Sequence, residues 1–263
     1  MIRWVALAAA GLGLLTAAAG CAATPARTTA ATGPATTATG RPSPASPSGG
    51  RSGSPGTSAT PGTSGTAAAR RLPPFSATAS GPLKPSDVPY TWHHGCPVPP
   101  RDLRALHVSY IGFDGAAHMG EIIVNASVLR KVIEVFKMLY RARFHIRRME
   151  PVDVFHGSDP KSMAADNTSG FNCRYAVAAG PPAWSMHAYG LAIDVNTVQN
   201  PYVESDGRVV PRAGRAYLDR SDIRPGMAYP GGVLVRAFRS IGWGWGGDWT
   251  GSPDYQHFSS NGR

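Results

Sequence analysis

Ser185-Met186-His187-Ala188-Tyr189-Gly190-Leu191-Ala192-Ile193-Asp194 is answered far downstream by Asp254-Tyr255-Gln256-His257. The two segments set two histidines and two carboxylates among glycines and aromatics. Neutral imidazole nitrogen and carboxylate oxygen are zinc donors, and three such donors leave one position open to water. The spare carboxylate can then take a proton from that water. The pattern is that of a metallohydrolase site, provided the surrounding chain can bring the segments together.

The flanking sequence offers the strands to do so. Residues 190–197 hold Leu191, Ala192, Ile193 and Val195, a short apolar strand carrying Asp194 and ended by Asn200-Pro201. Residues 255–259 read as a final strand that brings His257 alongside. Asp254 lies three residues before His257. Odd separations in a strand point to opposite faces, so a bend is required before His257, and Pro253 favours one.

Further out, residues 106–113 and 121–125 read as strands separated by Asp114-Gly115 turn chemistry. Asn125 or Ser127 can cap the helix that follows. There Val128, Val132, Phe136 and Leu139 recur at helical spacing, with Arg130, Lys131, Glu134 and Lys137 on the other side. Residues 147–155 show a strand-like Met149, Val152, Val154 pattern broken by Pro151. Residues 156–172 read as loop, 211–230 as irregular, 232–241 as helix, and 242–249 as a glycine- and tryptophan-rich loop. No internal repeat is present. Short strands with segregated helices predict an α+β fold: a small antiparallel sheet with helices on one side.

The first eighty residues belong to a different regime. Met1-Ile2-Arg3 is a short basic start, followed by small apolar residues and then Gly20-Cys21. This reads as a secretory signal, too short for a comfortable membrane span. Ala18-Ala19-Gly20-Cys21 resembles a lipoprotein cleavage box, which would make Cys21 a lipidation site. Residues 22–81 are mostly Ala, Thr, Pro, Gly and Ser. Such a composition cannot offset the entropy of ordering and predicts a disordered tether. About sixty residues of this kind span on the order of 40 Å root-mean-square. Residues 82–263 are one domain's worth of chain and hold nearly all the large apolar side chains.

The chain carries 26 Lys+Arg against 16 Asp+Glu, a formal net charge of +10. This favours solubility and attraction to an anionic surface such as a wall polymer or lipid headgroups. No nucleic-acid motif is present. Of the three cysteines, Cys96 and Cys173 remain if Cys21 is lipidated, and in an exported protein they are expected to pair. Two free buried thiols are the alternative.

At the level of motifs the chain resembles the zinc D-alanyl-D-alanine carboxypeptidase family. That family includes VanY-type carboxypeptidases and L-alanyl-D-glutamate endopeptidases, and its fold is shared with the hedgehog signalling domain. The resemblance rests on Ser185-x-His187 with Gly190-x-Ala192 and Asp194, on Gly246-Gly247-Asp248-Trp249, and on Asp254-x-x-His257-Phe258. Phe171-Asn172-Cys173-Arg174 adds a further block. It implies one zinc ion held by His187, Asp194 and His257, with Asp254 as general base. Arg174 resembles the family arginine that reaches into the site, to bind a substrate carboxylate or stabilise an oxyanion. Ser185 and Trp249 are candidate substrate contacts, with roles in a turn and in the core as their alternatives. Trp245 has the same two readings, and Asp248 is a candidate support for a zinc histidine.

His93, His94, His107, His118, His145 and His156 lack comparable ligand spacing, and no Gly-x-Ser-x-Gly elbow or nucleotide-binding glycine loop is present. The resemblance and the export signal together imply a monomeric, lipid-anchored zinc peptidase on the outer face of the membrane, trimming peptidoglycan stem peptides. A D-alanyl-D-alanine carboxypeptidase is the first expectation and an endopeptidase the second. A zinc-containing wall-binding module without turnover is the third, and Asp254 argues against it.

Overall fold

The computed structural model describes residues 71–177 and 180–263. The signal segment, Cys21 and most of the tether expected above lie outside the described residues. The last residues assigned to the tether do not: strand β1 (Ala77–Ala79) pairs with the domain, and Ser80 Oγ accepts a hydrogen bond from Ala105 N at 3.0 Å. The ordered fold therefore begins before residue 82.

β1 lies antiparallel on β2 (Leu103–Ile111), and β2 on β3 (Ala117–Asn125). The Asp114-Gly115 turn closes the β2–β3 hairpin, with Ala116 N donating to Asp114 Oδ1 at 3.0 Å. Asn125 then caps the next turn by accepting from Ser127 N, and α1 (Leu129–Arg141) follows. Its buried residues Val132, Val135, Phe136 and Leu139 form the expected apolar stripe.

The stripe packs with α3 (Val233–Arg239) against the inner face of β2 and β3, contributed by Leu106, Val108, Ile122 and Val124. The opposite face of the sheet carries Leu103, Ala105 and Ile123. Leu83, Val88, Phe171, Cys173 and Ala188 cover it from the loops. Helices α1 and α3 thus sit on one side, as an α+β fold requires.

The chain departs from a single sheet. A second, three-stranded sheet has the order β4 (Ala192–Asp194), β8 (His257–Ser259), β7 (Gly244–Trp245). A two-stranded ribbon pairs β5 (Tyr202–Val203) with β6 (Val209–Val210). Ile193, Trp245 and Phe258 join the second sheet to the main core. Strand β7 lies in a segment expected to be loop, since two residues are too few to show periodicity.

Two other readings are corrected. Residues 147–155 form no strand; Val152–Phe155 is a 3-10 turn, because Pro151 has no N–H for a ladder and Val154 points to solvent. The loop expected at 156–172 contains helix α2 (Asp159–Ala164), started by Ser158 accepting from Lys161 N and by Pro160 in its first turn. Six residues with one buried side chain carry no visible apolar stripe.

A disulfide joins Cys96 and Cys173, 77 residues apart. It ties the loop that covers the outer sheet face to the segment leading into Arg174.

Candidate metal centre and its cleft

His187, Asp194 and His257 are buried together, with donor atoms within 4.8 Å of one another. His187 Nε2 lies 3.2 Å from Asp194 Oδ2 and 3.2 Å from His257 Nδ1, and His257 Nδ1 is 3.1 Å from Asp194 Oδ1.

Each candidate ligand arrives by a different local device. Asp194 and His257 are register partners across β4 and β8. His187 sits in the 3-10 turn Met186–Tyr189, whose first N–H groups are met by Ser185; its Oγ accepts from His187 N at 3.3 Å. Gly190 ends the turn at φ 65, where a Cβ would stand 2.7 Å from Asn125 N. Only glycine fits that close approach in a left-handed conformation.

The outer nitrogens of both imidazoles are fixed by carbonyls. His187 Nδ1 lies 2.6 Å from Gly170 O, and His257 Nε2 lies 3.2 Å from Arg263 O. A carbonyl can only accept, so each outer nitrogen carries the hydrogen and donates it. The inner nitrogens, His187 Nε2 and His257 Nδ1, are then left as lone pairs facing each other and a carboxylate. Such a cluster calls for a proton or a metal cation at its centre. Neutral imidazoles oriented from behind by carbonyls match the donor chemistry of a zinc site.

The electrostatics agree. Burial works against a charged Asp194, but the two imidazoles reverse this and hold its carboxyl well below the usual range. Burial also works against a charged His257, yet its hydrogen bond to Asp194 and the Asp194 and Asp254 charges raise its pKa. The site favours positive charge at its centre.

Asp254 reaches the same cleft through the expected bend. His257 N donates to Asp254 O at 3.3 Å, closing a turn over residues 254–257. Burial, and then the charge of Asp194, push the Asp254 carboxyl up to about 7; His257 and Arg174 act in the opposite direction. One of its oxygens is buried with no hydrogen-bond partner among the described residues.

Gly246 makes this turn possible. A Cβ there would meet Asp254 O at 2.5 Å and His257 Cβ at 3.2 Å. Both Asp254 N and Trp249 N donate to Gly246 O.

The site lies in a cleft of about 1210 Å³ whose walls include Arg174, Trp184, Tyr202, Trp249 and Arg263. Ser185 and Trp249 both line it. Trp249 also stands beside the His257 ring, at 5.4 Å between centroids, and donates from Nε1 to Gly262 O. Trp245 takes its core alternative: it is buried and stacks with Phe258. Asp248 does not support a zinc histidine; its carboxylate pairs with Arg239 at 2.8 Å.

Asp159 and Met163 of α2 and Gln256 also line the cleft. The sequence assigns none of them a role, nor the Gly170 and Arg263 main-chain oxygens. A backbone acceptor leaves no residue-type signal, and α2 itself was read as loop.

Residues 179–260 match the family model described as D-alanyl-D-alanine carboxypeptidase. The chain is similar to that family over this segment. No curated protein and no solved structure matches the chain. The matched segment contains His187, Asp194, Asp254 and His257. Arg174 precedes it, so its place in the cleft is established by the fold alone.

Proposed function

We propose that this chain is an exported, membrane-tethered zinc metallopeptidase that hydrolyses peptidoglycan stem peptides, acting as a D-alanyl-D-alanine carboxypeptidase. The observation that carries the proposal is the convergence of two carbonyl-oriented imidazoles and Asp194 within 4.8 Å, beside a buried Asp254.

A zinc ion held by His187, Asp194 and His257 would supply Lewis acidity toward water and the scissile carbonyl. The remaining work falls to the chain's own side chains. Asp254 takes a proton from the attacking water and returns it to the leaving amine. A carboxyl whose affinity for a proton is raised toward neutrality is suited to both halves of that exchange. Asp194 and the Gly170 and Arg263 carbonyls keep the imidazoles in one tautomer and orientation. Arg174 offers a planar fork of donors to a carboxylate or a developing oxyanion. Trp249 and Trp184 border the cleft as apolar walls.

The location follows from the sequence. The expected signal, the candidate lipidation site at Cys21 and the long tether support a position on the outer face of the membrane with reach into the wall. Its net charge of +10 suits an anionic wall environment. Among the described residues no helix is long and apolar enough to cross a membrane.

The cleft volume supports a second reading, cleavage inside the stem as an endopeptidase, because about 1210 Å³ exceeds the room a terminal dipeptide needs. Digestion of defined muropeptides by the zinc-loaded protein, read by mass spectrometry, separates the two. Loss of one terminal alanine supports the carboxypeptidase, an internal cut the endopeptidase. Intact stems would exclude both.

A further inference from the structure

Arg174 enters the cleft from the segment pinned by the Cys96–Cys173 disulfide. Its Nη2 donates to Asp159 Oδ2 at 2.9 Å and its Nη1 to the Tyr175 carbonyl at 3.4 Å. Its Nε is buried and makes no hydrogen bond among the described residues. The side chain as a whole is 26% exposed and lines the cleft, so its accessible part lies away from Nε.

Asp159 is itself held. It opens helix α2, whose N-terminus favours a carboxylate, and its Oδ1 accepts from Asn172 Nδ2 at 3.4 Å. The Asp159–Arg174 pair is mostly shielded from solvent, with side-chain exposures of 20% and 26%. Of the other acidic groups lining the cleft, Asp194 and Asp254 face the candidate metal site, Glu204 pairs with Arg208, Asp248 pairs with Arg239, and Asp206 accepts from Arg208 N. Among the described residues, Asp159 is the one carboxylate paired with the Arg174 guanidinium.

We propose that Asp159 is a positioning residue: it fixes the plane of the Arg174 guanidinium so that the part of it open to the cleft receives the free terminal carboxylate of the peptide substrate. The inference rests on the carboxypeptidase reading and deepens it, since it makes the cleft selective for chains that end in an acid. Bidentate recognition of a carboxylate depends on a fixed guanidinium plane. An arginine freed of Asp159 keeps its charge but loses that plane. Removing a partly solvated negative charge also favours an incoming anion, but that gain is screened and small beside the lost orientation.

The test uses the full zinc-loaded chain and two N-acylated D-alanyl-D-alanine peptides, one with a free carboxylate and one with a terminal carboxamide. Binding is read by calorimetry and turnover by KM and kcat. The wild type should prefer the acid. Asp159→Asn should weaken the acid at least about tenfold, largely in KM, with the amide unchanged. Asp159→Glu should recover part of the loss. Melting temperature and zinc content should match the wild type, which separates positioning from unfolding. Equal weakening of acid and amide, or unchanged or tighter binding of the acid by Asp159→Asn, would overturn the proposal. If the wild type binds the acid selectively but cleaves neither peptide, the carboxypeptidase reading fails while the Asp159 inference is still decided by calorimetry.

Discussion

Asp194 and His257 stand opposite each other on adjacent antiparallel strands, with Oδ1 3.1 Å from Nδ1. Opposed residues are the closest cross-strand neighbours, so sheet register alone presets two of the three metal donors. A one-residue slip would turn both side chains away. His187 completes the set from a turn closed by Ser185 and Gly190.

The His187→Ala protein is expected to fold yet retain less than about a tenth of the wild-type zinc, because two donors cannot replace three. Metal analysis after gel filtration checks this. Full retention would remove His187 from the ligand set.

Asp254→Ala should separate binding from chemistry. Zinc content should be unchanged while kcat falls by about 10²–10⁴, the usual contribution of a positioned proton-transfer group. A variant that stays fully active would show that Asp254 is not the base.

Asp254 also makes a pH prediction for the metal-free protein. Its folded carboxyl is pushed up to about 7 by burial and then by Asp194. Between the ordinary carboxylate value and about 7 the folded state keeps a proton that the unfolded chain has released. Stability therefore falls as pH rises through that window. Asp254→Asn removes this titration. At pH 8 the metal-free variant should exceed the metal-free wild type by about 2–4 kcal/mol, and the gap should close near pH 4. Urea unfolding across that range measures it; a gap independent of pH would contradict the assignment.

Gly246→Ala should be damaging although the residue does not line the cleft. Its Cβ would stand 2.5 Å from the Asp254 carbonyl, so the Asp254–His257 turn must move. The expected cost is about 1–3 kcal/mol of stability with a larger loss of activity, read by unfolding and by zinc affinity. Wild-type behaviour would show that the turn has slack.

The helix with Val132, Val135, Phe136 and Leu139 was legible because its apolar residues recur at a fixed period over thirteen positions. The strands bearing Asp194 and His257, and the bend before His257, were legible from apolar runs and from the parity of their spacing. Helix α2 and strand β7 were not, since short elements are decided by tertiary partners. The same limit hid Asp159. Nothing in Ser158-Asp159-Pro160 announces a partner for Arg174 fifteen residues later; the juxtaposition exists only once the chain is folded. Trp245 and Trp249 make the converse case. Their residue type allowed wall or core, and packing gave the first to the core and the second to the cleft.

If His187, Asp194 and His257 hold one zinc ion that serves peptide hydrolysis, activity must follow metal occupancy. Titrating zinc into chelator-stripped protein while following D-alanine release from an N-acylated D-alanyl-D-alanine tests it most directly. The stripped protein should release none, and release should rise and saturate at about one ion per chain. Release that persists without metal, or none from the fully loaded protein, would contradict it.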